Sequence, residues 1–447
     1  MTIFALSSAR GRAGVAVIRI SGPNVLNAVN LLTKKDNIEP RKASLCWIRH
    51  PVSEEKLDHG LVLWFPAPHS FSGEDVAELQ IHGGRAVTES VLGALALIEG
   101  LRPAAPGEFS RRAFDNGRMD LTEVEGLADL INAETEGQRR QALRQMEGAL
   151  GSLYEEWRIE LIDCLAFLEA AIDFADEDLP PDLTQGIYER IAELSAAIDD
   201  HLKDGWRGER LRDGLNIAIL GAPNAGKSTL LNAVARREAA IVSEQAGTTR
   251  DVIEVHLDLN GFAVTVADTA GIRAAGDVIE REGIRRALLK AEEADLKIIL
   301  VDGREWPRID KSLGDLIDQK TLLVITKVDV ANPEVAQFEA RENSLGLWRL
   351  SAKTGAGVAV FLQDLGRIVE GLLKVRGDEA PRMTRERHRN ALADVVAHLT
   401  RYLQGGGDVE MKAEDIRLAA RALGRITGRV DVEDVLDVIF SEFCIGK

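Results

Sequence analysis

At 447 residues the chain is too long for one compact core and predicts two or three domains. Its formal net charge of −17 excludes a protein that coats nucleic acid with a general basic surface, since phosphate binding needs clustered Lys and Arg. No run approaches the ~18 apolar residues of a membrane span, Arg10 and Arg12 break up any signal-like start, and Cys46, Cys164 and Cys444 show neither zinc spacing nor a disulfide framework, so a cytoplasmic protein is expected.

Residues 1–116 read as mixed and strand-rich, with apolar segments at 15–18, 61–65 and 76–81 bounded by Gly and Pro turns. Arg19 interrupts one of these strands, Glu78 another, and Arg118 follows the last turn. The three either line a polar pocket or point outward from half-buried strands. Between 121 and 201 the pattern is helical: Leu143, Met146, Leu150, Leu153, Trp157, Leu161, Cys164 and Leu168 recur every three or four residues, predicting one bundle-core face with Cys164 in packing. An acidic, Pro-containing break is expected at 173–182 and a Gly-rich polar link at 204–209. Basic clusters at Arg111, Arg112 and Arg118, at Arg139, Arg140 and Arg144, and at 382–389 are solvated helix faces or RNA contacts.

The segment GAPNAGKST at 221–229 is a phosphate-binding loop between an apolar strand, 215–220, and a helix, 230–237. Its glycines turn backbone N–H groups onto phosphates, Lys227 reaches the outer phosphates, and the Ser228 hydroxyl suits magnesium. Downstream, the Thr249 hydroxyl in 247–251 suits magnesium once a γ-phosphate is present. The strand 262–267 ends in Asp268, Thr269, Ala270 and Gly271, where Asp268 holds magnesium through water and Gly271 N–H senses the γ-phosphate. Thr326, Lys327 and Asp329, with Ser351, Ala352 and Lys353, predict guanine recognition: a carboxylate at Asp329 accepts from two guanine donors that adenine lacks, and the Lys327 stem lies along the base. The common form of this motif begins with Asn; Thr326 stands there instead. Ile272 occupies the place where many small GTPases carry a water-orienting Gln, so another group must orient water. Asn224 is suited to holding a monovalent cation against the phosphates. From 382 onward the chain is helical, through 390–403 and 414–423, with a further start near Asp431; the apolar ending 443–447 suggests docking rather than fraying.

With GRAGVAVIRISG, FSGEDVAELQIHGG, PGEFSRRAF, GAPNAGKST, AGTTRDVI, DTAGIR and the terminal FCIGK assembled, the chain resembles the MnmE (TrmE) family of tRNA-modification GTPases throughout its length. The resemblance implies a multidomain α/β plus all-α fold. Its parts are an α+β tetrahydrofolate-binding and dimerisation domain at 1–117, a helical domain split between 118–212 and 376–447, and an inserted doubly wound GTPase domain at 213–375. It implies a homodimer that works with the flavoprotein MnmG, in a heterotetramer or larger complex, on the wobble uridine of certain tRNAs. The group added at carbon 5 is of the aminomethyl or carboxymethylaminomethyl type, with a one-carbon unit from 5,10-methylene- or 5-formyl-tetrahydrofolate. Carried over by position, potassium would be held by Asn224, Ser243, Gln245 and Thr248, and magnesium by Ser228 and Thr249. GTP would be held by 224–229, by Ser243, Glu244, Gln245, Ala246, Gly247, Thr248 and Thr249, by 268–271, and by the base-reading residues. Glu280, otherwise a solvated helix-start carboxylate, would orient water. Folate would meet Arg19, Glu78, Arg118 and Lys447, and the Cys444 thiol either packs, touches folate or reacts. A GTP-gated RNA-binding or ribosome-assembly factor is the alternative, which predicts a basic RNA-binding appendage; a membrane-associated GTPase would need a membrane-facing helix.

Overall fold

The computed structural model describes residues 1–173, 181–236, 254–268, 289–331, 344–374, 380–405, 408–430, 436, 439–441, 443 and 445–446. They form two compact units, one of Met1–Ala128, Gln145–Ala192 and Asp394–Lys447, the other of Asp129–Arg144 and Glu193–Ala393. Together they give the mixed α/β and helical architecture the sequence predicts.

The first unit opens with a six-stranded sheet in the order β3-β4-β5-β2-β1-β6. Its strands are β1 (Thr2–Leu6), β2 (Ala13–Ser21), β3 (Ser44–Arg49), β4 (Lys56–Phe65), β5 (Val76–Gly83) and β6 (Leu101–Pro103). Alternation fixes the faces: Ala16, Ile18 and Ile20 of β2 are buried against Val29 and Leu32 of α1 (Val25–Thr33) and Val91 and Leu95 of α2 (Arg85–Ala96). On the opposite face, Phe109 of α3 (Glu108–Asp115) packs on Ile3 and Ala5 of β1. Toward β3 that face stays open, and Val15, Leu45 and Trp47 are exposed on it.

The helical part begins with a reciprocal cap on α4 (Leu121–Asn132). Asp120 Oδ1 accepts from Glu123 N at 2.8 Å, and Glu123 Oε2 accepts from Asp120 N at 2.7 Å. The single stripe expected from Leu143 to Leu168 is broken in the fold. Gly148, at φ +85°, separates α5 (Glu136–Met146) from α6 (Ala149–Asp173), so Leu143 and Met146 lie on a different helix from the rest. On α6, Leu150, Leu161, Cys164 and Leu168 are buried as predicted, but the fully buried Tyr154 fills the place expected of Leu153 and Trp157, which are half-buried. Burial pushes the Cys164 thiol pKa up, as suits a packing residue. The helix Val409–Thr427 (α12) packs along α6, with Ile416 and Leu423 in the core.

A second correction concerns 204–209. These residues do not form a link but sit inside α7 (Pro181–Asp213). Gly205 and Gly208 are buried because Met383 lies against them: a Cβ on Gly208 would stand 2.1 Å from the Met383 carbonyl oxygen, and one on Gly205 1.9 Å from its terminal methyl.

The second unit holds a sheet in the order β12-β11-β10-β7-β9-β8. The strands are β7 (Leu215–Gly221), β8 (Glu254–Leu259), β9 (Phe262–Asp268), β10 (Leu296–Asp302), β11 (Thr321–Thr326) and β12 (Gly346–Arg349). All pairings are parallel except β8 with β9. Every position of β10 and β11 is buried, as central parallel strands covered on both faces require. Its further helices among the described residues are α8 (Lys227–Ala235), α9 (Lys311–Gly314) and α10 (Val358–Leu373), and α11 (Glu386–Leu403) follows. Because β7 lies between β10 and β9, its carboxyl end opens at the switch point of the sheet, where such folds bind ligands. Among the described residues no helix is long and apolar enough to cross a membrane.

Candidate functional site

At that switch point β7 feeds the loop 221–226 into α8. Gly221 has φ +158°, Asn224 +65° and Gly226 +100°, and no side chain caps the start of α8, so its first N–H groups face outward as an anion site. Lys227 arches back over the loop: its buried Nζ donates to the carbonyls of Gly221 at 2.5 Å and Ala222 at 3.0 Å. Asn224, Ser228 and Thr229 are exposed on this rim, and Ala225 is buried beneath it. An exposed hydroxyl in the first turn of α8 and an exposed amide in the loop suit a hard cation beside phosphate oxygens.

The residues expected to read the base lie at the same end of the sheet. Thr326 ends β11 at 2% exposure, and its hydroxyl donates to the Ala225 carbonyl at 2.7 Å. Thr326 therefore braces the phosphate loop from below. Asp329 is exposed, and the hydroxyl of fully buried Ser351 holds its carboxyl below the usual range, with Lys353 adding to the effect. Ser351 is fixed by its own N–H to the Ala356 carbonyl at 2.9 Å. Asp268 closes β9 opposite Ile219 of β7.

One participant was missed in the sequence. Asp302, at the end of β10, accepts from Lys327 Nζ at 2.8 Å and from Arg304 Nη2 at 2.5 Å. An acidic residue closing an otherwise apolar strand just before Gly303 was the available signal.

In the first unit Arg19 and Glu78 are brought together. They stand opposite one another on β2 and β5, on the face away from α1 and α2, with Arg19 Nη2 to Glu78 Oε1 at 2.9 Å. The Arg19 guanidinium lies 4.9 Å from the Phe71 ring centroid and 5.9 Å from that of Phe109, so the pair sits against an aromatic wall. Arg118 is exposed beside the same turn, where a Cβ on Gly73 would meet its Cγ at 3.2 Å. The chain end docks nearby: Ile445 bridges Pro106, and the Gly446 carbonyl accepts from Ser7 Oγ at 2.8 Å, just past β1. Docking of the tail, expected from its apolar residues, is thus seen.

A cavity of about 600 Å³ lies among Phe114, Asp120, Glu123, Glu155, Thr427 and Arg429. Of its carboxylates, Asp120 and Glu123 are engaged in the helix cap and Glu155 with Arg158 and Arg429. Ser243, Glu244, Gln245, Ala246, Gly247, Thr248, Thr249, Thr269, Ala270, Gly271, Glu280, Cys444 and Lys447 lie outside the described residues.

Residues 2–118 match the family model "GTP-binding protein TrmE N-terminus", and residues 121–444 match "MnmE helical domain". A tRNA modification GTPase MnmE of Paramagnetospirillum magneticum is 55% identical over 446 residues, covering 100% of this chain and 99% of that one. The protein of the same name from Rhodospirillum rubrum is 52% identical over 458 residues, again covering 100% and 99%. The mitochondrial 5-taurinomethyluridine tRNA synthase subunit GTPB3 of Danio rerio is 46% identical over 473 residues, covering 100% of this chain and 93% of its own.

Proposed function

The chain belongs to the MnmE family of tRNA modification GTPases, and on that premise we propose that it hydrolyses GTP to drive modification of the wobble uridine in certain tRNAs. In this reading it acts as a homodimer with the flavoprotein MnmG, uses potassium and magnesium at the phosphate loop, and takes a one-carbon unit from a tetrahydrofolate. The added group is carboxymethylaminomethyl or aminomethyl.

The single observation that carries the reading is the docking of Ile445 and Gly446 beside β1, the neighbour of the strand that bears Arg19. Gly446, at φ +103°, leaves so little room that a Cβ would lie 2.1 Å from the Leu6 carbonyl oxygen. Leu6 pairs with Ile18, one residue from Arg19, so the docked tail lies on the strand next to the one that carries Arg19. A guanidinium, a carboxylate and aromatic rings suit a flat heterocycle with a polar edge. The open sheet face bearing Val15, Leu45 and Trp47 favours a second copy of the chain as its cover.

At the nucleotide, Lys227 and the N–H groups at the start of α8 would bind phosphates, with Ser228 and Thr249 on magnesium and Asn224 with Ser243, Gln245 and Thr248 on potassium. Potassium would supply positive charge against the phosphates as the bond to the leaving oxygen breaks. Glu280 would orient the attacking water through the next shell. The domain limits 1–117, 118–212, 213–375 and 376–447 remain part of this proposal.

Nucleoside mass spectrometry of tRNA from cells lacking the protein tests the assignment: the modified wobble uridine should vanish, and an unchanged profile refutes it. Hydrolysis at equal rates in sodium and potassium would remove the cation's role, and normal turnover of Glu280→Ala would remove that of Glu280.

A further inference from the structure

We propose that Asp302 is a positioning residue for guanine recognition: its buried carboxylate anchors the Lys327 ammonium and thereby fixes the lysine's methylene stem along the face the base occupies. This rests on the reading of 326–329 as the base-reading motif and deepens it.

The sheet places the two groups side by side. β10 and β11 run parallel with Asp302 opposite Thr326, so a carboxylate at the end of one strand faces the first turn after the other. Gly303 N–H donates to the Thr326 carbonyl at 2.9 Å, and the Lys327 carbonyl accepts from Val330 N at 3.0 Å, which locks the backbone on both sides. Lys327 itself has φ +57°, a conformation a non-glycine residue keeps only where its surroundings impose it. Lysine is among the side chains richest in rotamers, and tethering its tip removes that freedom before a ligand arrives.

Charge neutralisation alone does not account for the pairing. Arg304 already meets Asp302 with Nε at 3.0 Å, Nη2 at 2.5 Å and its backbone N at 3.0 Å. Those Arg304 bonds, with Lys327 adding to them, hold the carboxyl far below the usual range. The second cation is therefore gripped by a carboxylate. The Asp302 side chain is 7% exposed and that of Lys327 is 29% exposed. With the ammonium engaged on a buried group, the surface left to a base is methylene, which is what stacking on a purine needs.

The test is a double-mutant cycle on the full chain, with GDP binding followed by isothermal titration and inorganic pyrophosphate titrated in parallel. Asp302→Asn should weaken GDP about tenfold, the scale of one charge-assisted bond, and leave pyrophosphate within twofold. Lys327→Ala should weaken GDP comparably, and the double variant should bind no worse than Lys327→Ala. A fold damaged by Asp302→Asn would lose pyrophosphate as well, and that outcome, like unchanged GDP binding, overturns the proposal. An equal further loss in the Lys327→Ala background also overturns it, since Asp302 would then act elsewhere. If Lys327→Ala alone binds GDP normally, the base-reading assignment itself has failed and the proposal falls with it.

Discussion

Replacing Thr326 by Val tests whether this residue serves the phosphate loop or the base. The swap keeps the shape and removes the hydroxyl that donates to the Ala225 carbonyl at 2.7 Å. Both residues are 2% exposed, so water cannot replace the lost donor. Leaving one buried acceptor unpaired costs ~1–3 kcal/mol. In a unit of roughly two hundred residues each kcal/mol lowers the melting midpoint by about 2–4 °C, so a drop near 6 °C is expected. Calorimetry of the intact protein reads this directly. Because the brace touches the loop, GDP and pyrophosphate affinities should fall together when titrated into the variant. An unchanged midpoint would refute the brace, and a loss of GDP binding with pyrophosphate spared would mean that the hydroxyl meets the base after all.

Other outcomes follow from the same geometry. Gly208→Ala should cost about 2 kcal/mol or more, because its Cβ would strike the Met383 backbone oxygen, whereas Gly205→Ala meets only that residue's flexible methyl and gains about 1 kcal/mol of helix propensity, leaving it near neutral; denaturant midpoints separate the two. Gly446→Ala should undock the tail, since φ +103° and the Leu6 carbonyl both oppose a side chain, and the thermal shift given by 5-formyl-tetrahydrofolate should disappear while GDP binding persists. Desolvation lowers the His201 pKa to about 4 from an ordinary 6.5. An unfolded chain therefore binds the proton first as pH falls, so the stability due to neutral His201 is intact above pH 6.5 and declines by up to about 3 kcal/mol toward pH 4. His201→Gln should flatten that slope in urea titrations across this range.

Local chemistry was legible in the sequence wherever short spacing carries it. The loop 221–229 needed only its glycines, Lys227 and the apolar strand before it, whereas the sequence left open whether Arg19 and Glu78 line a pocket or point outward, and the β2–β5 register brings them together. What failed needed distant partners. Gly205 and Gly208 look like a hinge until Met383, far along the chain, is seen lying on them, and only then is their missing Cβ a packing device. The stripe from Leu143 misled because a period of three or four residues continues arithmetically through Gly148, while the backbone does not. Asp302 was missed for a related reason: an acidic end to an apolar strand was there to be read, but its role depends on strand register, which sets it opposite Thr326 across the sheet.

The first unit is assembled from three separated stretches, with α6 made early and its partner α12 made last. More than two hundred residues lie between them. At ordinary synthesis rates of about 5–20 residues per second, the apolar side of α6 stays uncovered on the ribosome for tens of seconds. The side of α6 that meets α12 is thus presented to solvent before its cover exists, which predicts that slowed translation lowers the yield of intact protein.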